Sequence, residues 1–330
     1  MMRVQNGVFP YANTIICIED IKLLKQFQYD VLYNTSDLRG VLDELNKMNY
    51  FRTYVSADTE NYADILDGLM EDTFELMKNI APTELVWRIF ALYYDIHNMK
   101  LVAKEKYSGK RLDRLAMLYG YYSLPTLRSA AVRETDNILE NETLTEGFFE
   151  ALRAGEMYDI DFILDKTYFR ALNKLAKELG VPGVSGFVTE KIDLYNISVL
   201  FQSLALGSPE WYFPKAFSDQ GSQTLSEWQE YAGGGQNELE KFPLWNKYRP
   251  IWEAAGSNSL LSEELDVLID NYLIKKTKAC KFMPFGIEPI CAYFFNKFIE
   301  ITNIRILLTG KEFDYSMYEI QRRMRIPYEL

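Results

Sequence analysis

An all-α fold is predicted for this chain, on three observations. Apolar residues recur at helical spacing along most of its length, and no alternating run longer than a few residues supplies a strand. The third observation is a phrase that occurs three times: Tyr94-Asp95-Ile96-His97-Asn98-Met99-Lys100, Ile192-Asp193-Leu194-Tyr195-Asn196-Ile197-Ser198 and Ile299-Glu300-Ile301-Thr302-Asn303-Ile304-Arg305. Each copy is an acid, two residues, an Asn and an apolar residue, and the acids lie 98 and 107 positions apart. A second phrase precedes each copy: Leu66-Asp67, Leu164-Asp165 and Ile269-Asp270, with the later acid 28, 28 and 30 residues downstream. Two phrases and a kept offset point to a triplicated helical unit.

Taken in order, the elements follow from local signals. Residues 84–105 place Ile89, Leu92, Tyr93, Ile96, Met99 and Ala103 at helical spacing, which predicts one buried face. Asp95 and Asn98, three apart, share a different face of that helix. Residues 180–186 hold three glycines and a proline, which predicts a turn or loop. Gly207-Ser208-Pro209 closes the middle copy, and Gly233-Gly234-Gly235 marks a loose run within the polar stretch 218–240. Pro284, Gly286 and Pro289 predict a sharp corner before a last long helix over 289–309. Pro289 suits its first turn, where the missing N–H costs nothing, and Gly310 suits the residue past its end. Phe294, Phe298, Ile301, Ile304 and Leu308 form its apolar stripe. The expected units are 1–106, 107–206 and 207–330, the last with an insertion and a C-terminal extension.

The repeated pairs Asp95/Asn98, Asp193/Asn196 and Glu300/Asn303 admit two readings. Buried acids and amides persist only when hydrogen-bonded, so each pair can pin the helix contacts of its own unit. Alternatively the three pairs line a central opening.

Composition narrows the function. Hydrophobic residues make up 48% of the 330, enough for a sizeable core. The formal net charge of −11 argues against a general nucleic-acid binder, which needs a basic surface. The charge is uneven, because residues 275–330 carry ten Lys or Arg against six Asp or Glu. Cys17, Cys280 and Cys291 are an odd count without a pairing motif and suit a reduced compartment. The apolar run at 15–18 is shorter than a secretory h-region, and no stretch of eighteen apolar residues predicts a membrane span. His97 is the only histidine, so a His-based triad and a multi-histidine metal site are both excluded. No phosphate-binding glycine loop or dinucleotide fingerprint is present. The acid pairs Asp159/Asp161 and Glu263/Glu264 leave carboxylate-only catalysis as a minor alternative.

Gly286-Ile287-Glu288-Pro289 with the aliphatic and aromatic helix after it, the stretch from Glu300 to Lys311, and the ending Ile320-Gln321-Arg322-Arg323-Met324-Arg325-Ile326-Pro327-Tyr328 carry a resemblance. Together with the three acid phrases, they resemble the family of C subunits of bacterial and archaeal V/A-type rotary ATPases, whose eukaryotic counterpart is the d subunit of the V-ATPase. The resemblance covers the whole chain. It implies three similar helical domains with pseudo-threefold symmetry forming a funnel. It implies a non-catalytic role without cofactor or metal, on the cytoplasmic face of the cell membrane as a peripheral protein. The implied partners are the central-shaft subunits and the membrane rotor (proteolipid) ring. The middle copy departs from the pattern, with Ser198 where the others have Lys100 and Arg305. The basic residues Lys275, Lys276, Lys278, Lys281, Arg322, Arg323 and Arg325 are expected to face the ring or the membrane surface. The alternative to this assignment is an unrelated all-helical repeat scaffold.

Overall fold

In the computed structural model every regular element among the described residues is helical. Those residues are 9–51, 57–133, 139–233, 240–256, 262–283 and 285–328, so Gly234, Gly235 and Pro284 of the expected turns lie outside them. In chain order the α-helices are α1 (Phe9–Ile21), α2 (Gln26–Tyr33), α3 (Leu38–Lys47), α4 (Tyr62–Ile80), α5 (Glu84–Ser108), α6 (Leu124–Arg133), α7 (Glu142–Leu152), α8 (Met157–Leu179), α9 (Pro182–Ala205), α10 (Pro209–Ala216), α11 (Leu225–Gly233), α12 (Arg249–Gly256), α13 (Ser262–Thr277), α14 (Glu288–Glu312) and α15 (Met317–Arg323). The chain divides into two compact units, one of Met1–Glu84 with Leu261–Leu330 and the other of Leu85–Leu260.

The first unit is built around α14, which packs against α1, α3, α4 and α15. Phe294, Ile301, Ile304, Leu307 and Leu308 are fully buried along it. Each such side chain contributes about 1.5–3 kcal/mol of burial. Pro289 stands in the first turn as expected, and Glu288 beside it complements the positive end of the helix. The exit differs from the expectation. The helix runs through Gly310 to Glu312, and the left-handed residue is Asp314, with φ 54°. There the Tyr315 N–H donates to the Gly310 carbonyl at 2.8 Å, closing the end. Gly310 serves packing instead: a Cβ on it would stand 2.6 Å from Ile320 Cγ1 of α15. A helical interior glycine that admits a neighbouring helix looks the same in sequence as a capping one.

The second unit joins α7 to α8 and α8 to α9, with α10 and α12 packed on α9. Residues 180–186 are not a loop. Gly180 alone adopts a left-handed conformation, φ 70°, and ends α8. Pro182 then opens α9, with Gly183 and Gly186 inside its first turns. A proline at the first helical position is preorganised for the helix. The remaining length of α9 offsets two glycines at about 1 kcal/mol each. The polar stretch 218–240 likewise contains α11, held by Trp228, whose ring lies 4.7 Å from that of Phe242 and 5.8 Å from that of Trp252.

Helix α5 is buried on more than the predicted stripe. Leu92, Ile96, Met99 and Ala103 are buried, but so are Ala91, Asp95, Asn98, Leu101 and Val102. Tyr93, placed on the stripe, is 55% exposed. Periodicity finds one face of a helix, and this one is covered on several.

Candidate functional site

Each repeated Asn makes the same bond pair. Asn98 on α5 donates from Nδ2 to the Met117 carbonyl at 2.6 Å, and its Oδ1 accepts from the Met117 N–H at 3.0 Å. Asn196 on α9 does this with Ser218, at 2.9 Å in both directions. Asn303 on α14 does it with Arg325, again at 2.9 Å in both directions. A primary amide matches the N–H and C=O of one residue when that residue runs extended alongside it, so each Asn clamps a single downstream residue to the middle of a long helix. The residue clamped is 19, 22 and 22 positions onward.

The acid one turn earlier holds the segment that follows. Asp95 Oδ1 accepts from the Tyr122 N–H at 2.9 Å. Asp193 Oδ1 accepts from the Ser222 N–H at 2.7 Å, and its Oδ2 accepts from the Ser222 hydroxyl at 2.9 Å and the Tyr248 hydroxyl at 3.2 Å. Both held loops contain a glycine that sequence reading did not single out. A Cβ on Gly120 would lie 2.5 Å from Asp95 Oδ1, and one on Gly221 would lie 2.7 Å from Asp193 Oδ1. The carboxylates therefore close on bare backbone. Each glycine stands three residues after the clamped one, a spacing that emerges only once the clamps are seen.

The third copy is completed from the other end of the sequence. Glu300 Oε2 accepts from the Leu24 N–H at 2.5 Å, and its Oε1 accepts from Lys297 Nζ at 2.6 Å. Helix α2 begins two residues after Leu24, as α6 begins two after Tyr122. Within the first unit, the segment ahead of α2 thus does for Glu300 what the loops after α5 and α9 do for the aspartates. The pairing of residues 276 apart leaves no trace in local sequence.

Burial sets the acid's protonation. Asp95 is 2% exposed, and this pushes its pKa up to about 7 against the opposing pull of the Tyr122 and Tyr121 N–H groups and Arg88. Burial raises the pKa of Asp193 too, against its bonds to Ser222. Tyr29 on α2 is raised well above the ordinary phenol range by burial first and Glu300 second.

The upstream phrase also has a partner. Five residues after the clamp acid, Lys100 Nζ donates to Asp165 at 2.7 Å, linking α5 to α8. In the other unit Arg305 donates to Asp67 at 2.6 Å, linking α14 to α4. In both cases the aspartate of one copy meets the base of another. The middle copy has Ser198 at that position, which accepts from Gln202 Nε2 at 3.2 Å. Asp270 takes Arg325 instead, whose Nε donates to it at 2.9 Å.

Three arginines were expected to face outward. Arg325 is engaged as above, and Arg322 pairs with Glu264 at 2.5 Å. The exposed Arg323 lies over the Tyr315 ring at 5.6 Å. His97 Nε2 lies 2.8 Å from the Leu115 carbonyl oxygen. The acids Asp159 and Asp161 pair with Lys215 at 3.0 Å and Lys104 at 2.8 Å. All three cysteines are free thiols. Among the described residues no group of three or more His, Cys, Asp or Glu is placed to hold a metal ion, and no helix is long and apolar enough to cross a membrane.

The family model described as ATP synthase (C/AC39) subunit matches residues 12–323. The chain belongs to that family. The match spans all six clamp residues of this C/AC39 protein, from Asp95 to Asn303. Among relatives, the C subunit of the V-type sodium ATPase of Enterococcus hirae is 23% identical, over 96% of this chain and 98% of that one. The C subunit of the A-type ATP synthase of Methanococcoides burtonii is 26% identical over 79% of this chain and 76% of that one. Its counterpart in the A-type ATP synthase of Methanocaldococcus jannaschii is 22% identical over 94% of this chain and 84% of that one. The C/AC39 assignment agrees with the resemblance read from the C-terminal stretch, and the all-α expectation holds.

Proposed function

We propose that this C/AC39 protein is the non-catalytic central-stalk socket of a V/A-type rotary ATPase, coupling the rotating shaft to the membrane rotor ring for ATP-driven proton or sodium transport. The observation that carries the reading is the family match over residues 12–323. The clamps support it. A torque coupler must transmit force without internal slip, and three long helices each tied at mid-length to the following segment resist sliding. The clamp carboxyls are buried and engaged by N–H and hydroxyl donors, an arrangement for holding rather than for attacking a substrate. In this reading the copies 1–106, 107–206 and 207–330 are three versions of one helical unit around an axis, and the partners are shaft subunits above and the rotor ring below. The place of work is the cytoplasmic face of the membrane.

The test is co-purification of the tagged chain from membranes of its own cells. Recovery with a shaft protein and a proteolipid ring is the expected result. Recovery of a soluble complex without either would overturn the reading.

A further inference from the structure

Residues 275–285 read Lys-Lys-Thr-Lys-Ala-Cys-Lys-Phe-Met-Pro-Phe, eleven positions without an acid in a chain of net charge −11. The segment covers the end of α13 and the 3-10 turn Lys278–Phe282. Three of its apolar side chains stand out in solvent: Phe282 is 75% exposed, Phe285 67% and Met283 40%. Lys275 and Lys276 are exposed and Lys278 is half-buried. Lys281 alone turns inward, to Asp20 at 2.5 Å.

Helix α1 extends the apolar surface. Its inner face, with Ala12 and Ile16, is buried, while Tyr11, Ile18 and Ile21 lie on the outer face and are 69%, 54% and 75% exposed. The two elements adjoin, since Pro10, Thr14 and Cys17 of α1 line one cavity with Phe282 and Met283. The result is a protruding apolar surface flanked by lysines of one sign. Phe282 and Met283 stand at the edge of that cavity and stay exposed, so they project from its rim instead of filling it. Protruding aromatics with flanking lysines suit a soft apolar layer beneath a negatively charged plane.

We propose that this patch rests on an anionic lipid surface, with Phe282, Met283 and Phe285 entering the headgroup boundary and Lys275, Lys276 and Lys278 meeting lipid phosphates. The proposal rests on the membrane-facing reading above, and adds to the lysines already expected to face the membrane the exposed apolar side chains of the turn before α14.

The test is flotation of the purified full chain with vesicles, one set of phosphatidylcholine alone and one mixed with phosphatidylglycerol. The expected result is binding about tenfold stronger to the anionic set, weakened by added salt. A variant carrying Phe282→Ser, Met283→Ser and Phe285→Ser, and another carrying Lys275→Glu, Lys276→Glu and Lys278→Glu, should each lose most of it. All six changes are of exposed or half-buried side chains; unchanged circular dichroism and gel-filtration volume identify folded variants. Equal binding to both sets, or full binding by both folded variants, overturns the proposal. Binding to a detergent-solubilised rotor ring with none to lipid vesicles also overturns it, and leaves the socket reading intact. Lipid binding without any ring or shaft partner in the membrane co-purification would sink the socket reading alone.

Discussion

At the scale of single residues, the clamps dictate what substitution costs. Asn196 is fully buried, and its loss leaves both the N–H and the carbonyl of Ser218 without their partner. Asn196→Leu is expected to destabilise by about 1–3 kcal/mol, mostly through those unpaired backbone groups. Chemical denaturation checks this, and an unchanged midpoint sinks the clamp as a stabilising device. Asp95 gives a prediction with a sign. Its proton is held more tightly in the folded chain, up to a pKa of about 7, than in the unfolded one, where the ordinary value is near 4. Below both values the group is neutral in either state and contributes no penalty. As pH rises from about 4 to 7 the unfolded state ionises first, and folded stability falls. Asp95→Asn cannot ionise and keeps an oxygen for the Tyr122 N–H. Its melting temperature relative to wild type should therefore rise between about pH 5 and pH 7, as wild type loses a few kcal/mol, and level off above that. A difference that shrinks over that range contradicts the assignment. The acids and amides themselves were legible because they recur. Gly120 and Gly221 were passed over because a lone glycine in a loop is common, and only the approach of a carboxylate oxygen gives it meaning.

At the scale of helices, close approach decides more than propensity. In α7, a Cβ on Gly147 would collide with Thr167 of α8, meeting Cγ2 at 2.5 Å and Cβ at 2.8 Å as well as the hydroxyl. Thr167 is 3% exposed, is β-branched, and donates its hydroxyl to the Ile163 carbonyl at 2.8 Å, so it has nowhere to move. Alanine gains about 1 kcal/mol over glycine inside a helix, against about 1–3 kcal/mol for overpacking. Gly147→Ala is expected to lower stability, and a thermal melt showing a gain removes the claim of tight α7–α8 contact. The same physics explains which elements were readable. Helix existence followed from apolar spacing, and the start of α14 from Pro289. Its end did not, because Gly310 is there to admit Ile320. The glycines of 180–186 spoke for a loop, yet Pro182 at a helix start outweighed Gly183 and Gly186. Tyr93 fits the stripe by spacing alone, while its exposure depends on what surrounds α5.

At the scale of the molecule, the recurrence of the phrases was legible and the bonding between them was not. The offset between phrases is a fact of sequence, but that Arg305 meets Asp67 and Lys100 meets Asp165 depends on which helices the fold brings together. Arg305 and Asp67 are 43% and 53% exposed, so this pair contributes at most about 1 kcal/mol. Its value is in register more than stability. The bond from Leu24 to Glu300 has a larger effect. Removing residues 1–25 strips Glu300 of its backbone donor and takes α1 off α14. Amide exchange along residues 296–304 is expected to accelerate in that deletion while α7 to α9 keep their protection. Equal protection of residues 296–304 in both forms argues against the N-terminal segment as part of the third copy.

The first unit draws on residues 1–84 and on 261–330. On a ribosome adding about 5–20 residues per second, the early segment emerges and then waits on the order of 10–50 seconds for the helix that α1, α3 and α4 enclose. Meanwhile the apolar faces of those helices have nothing to cover them, and chaperones have time to reach them. The contiguous middle of the chain finishes earlier. A stop codon ahead of α14 therefore leaves the opening of the protein without its core, and the damage appears at the end of the molecule that was translated intact.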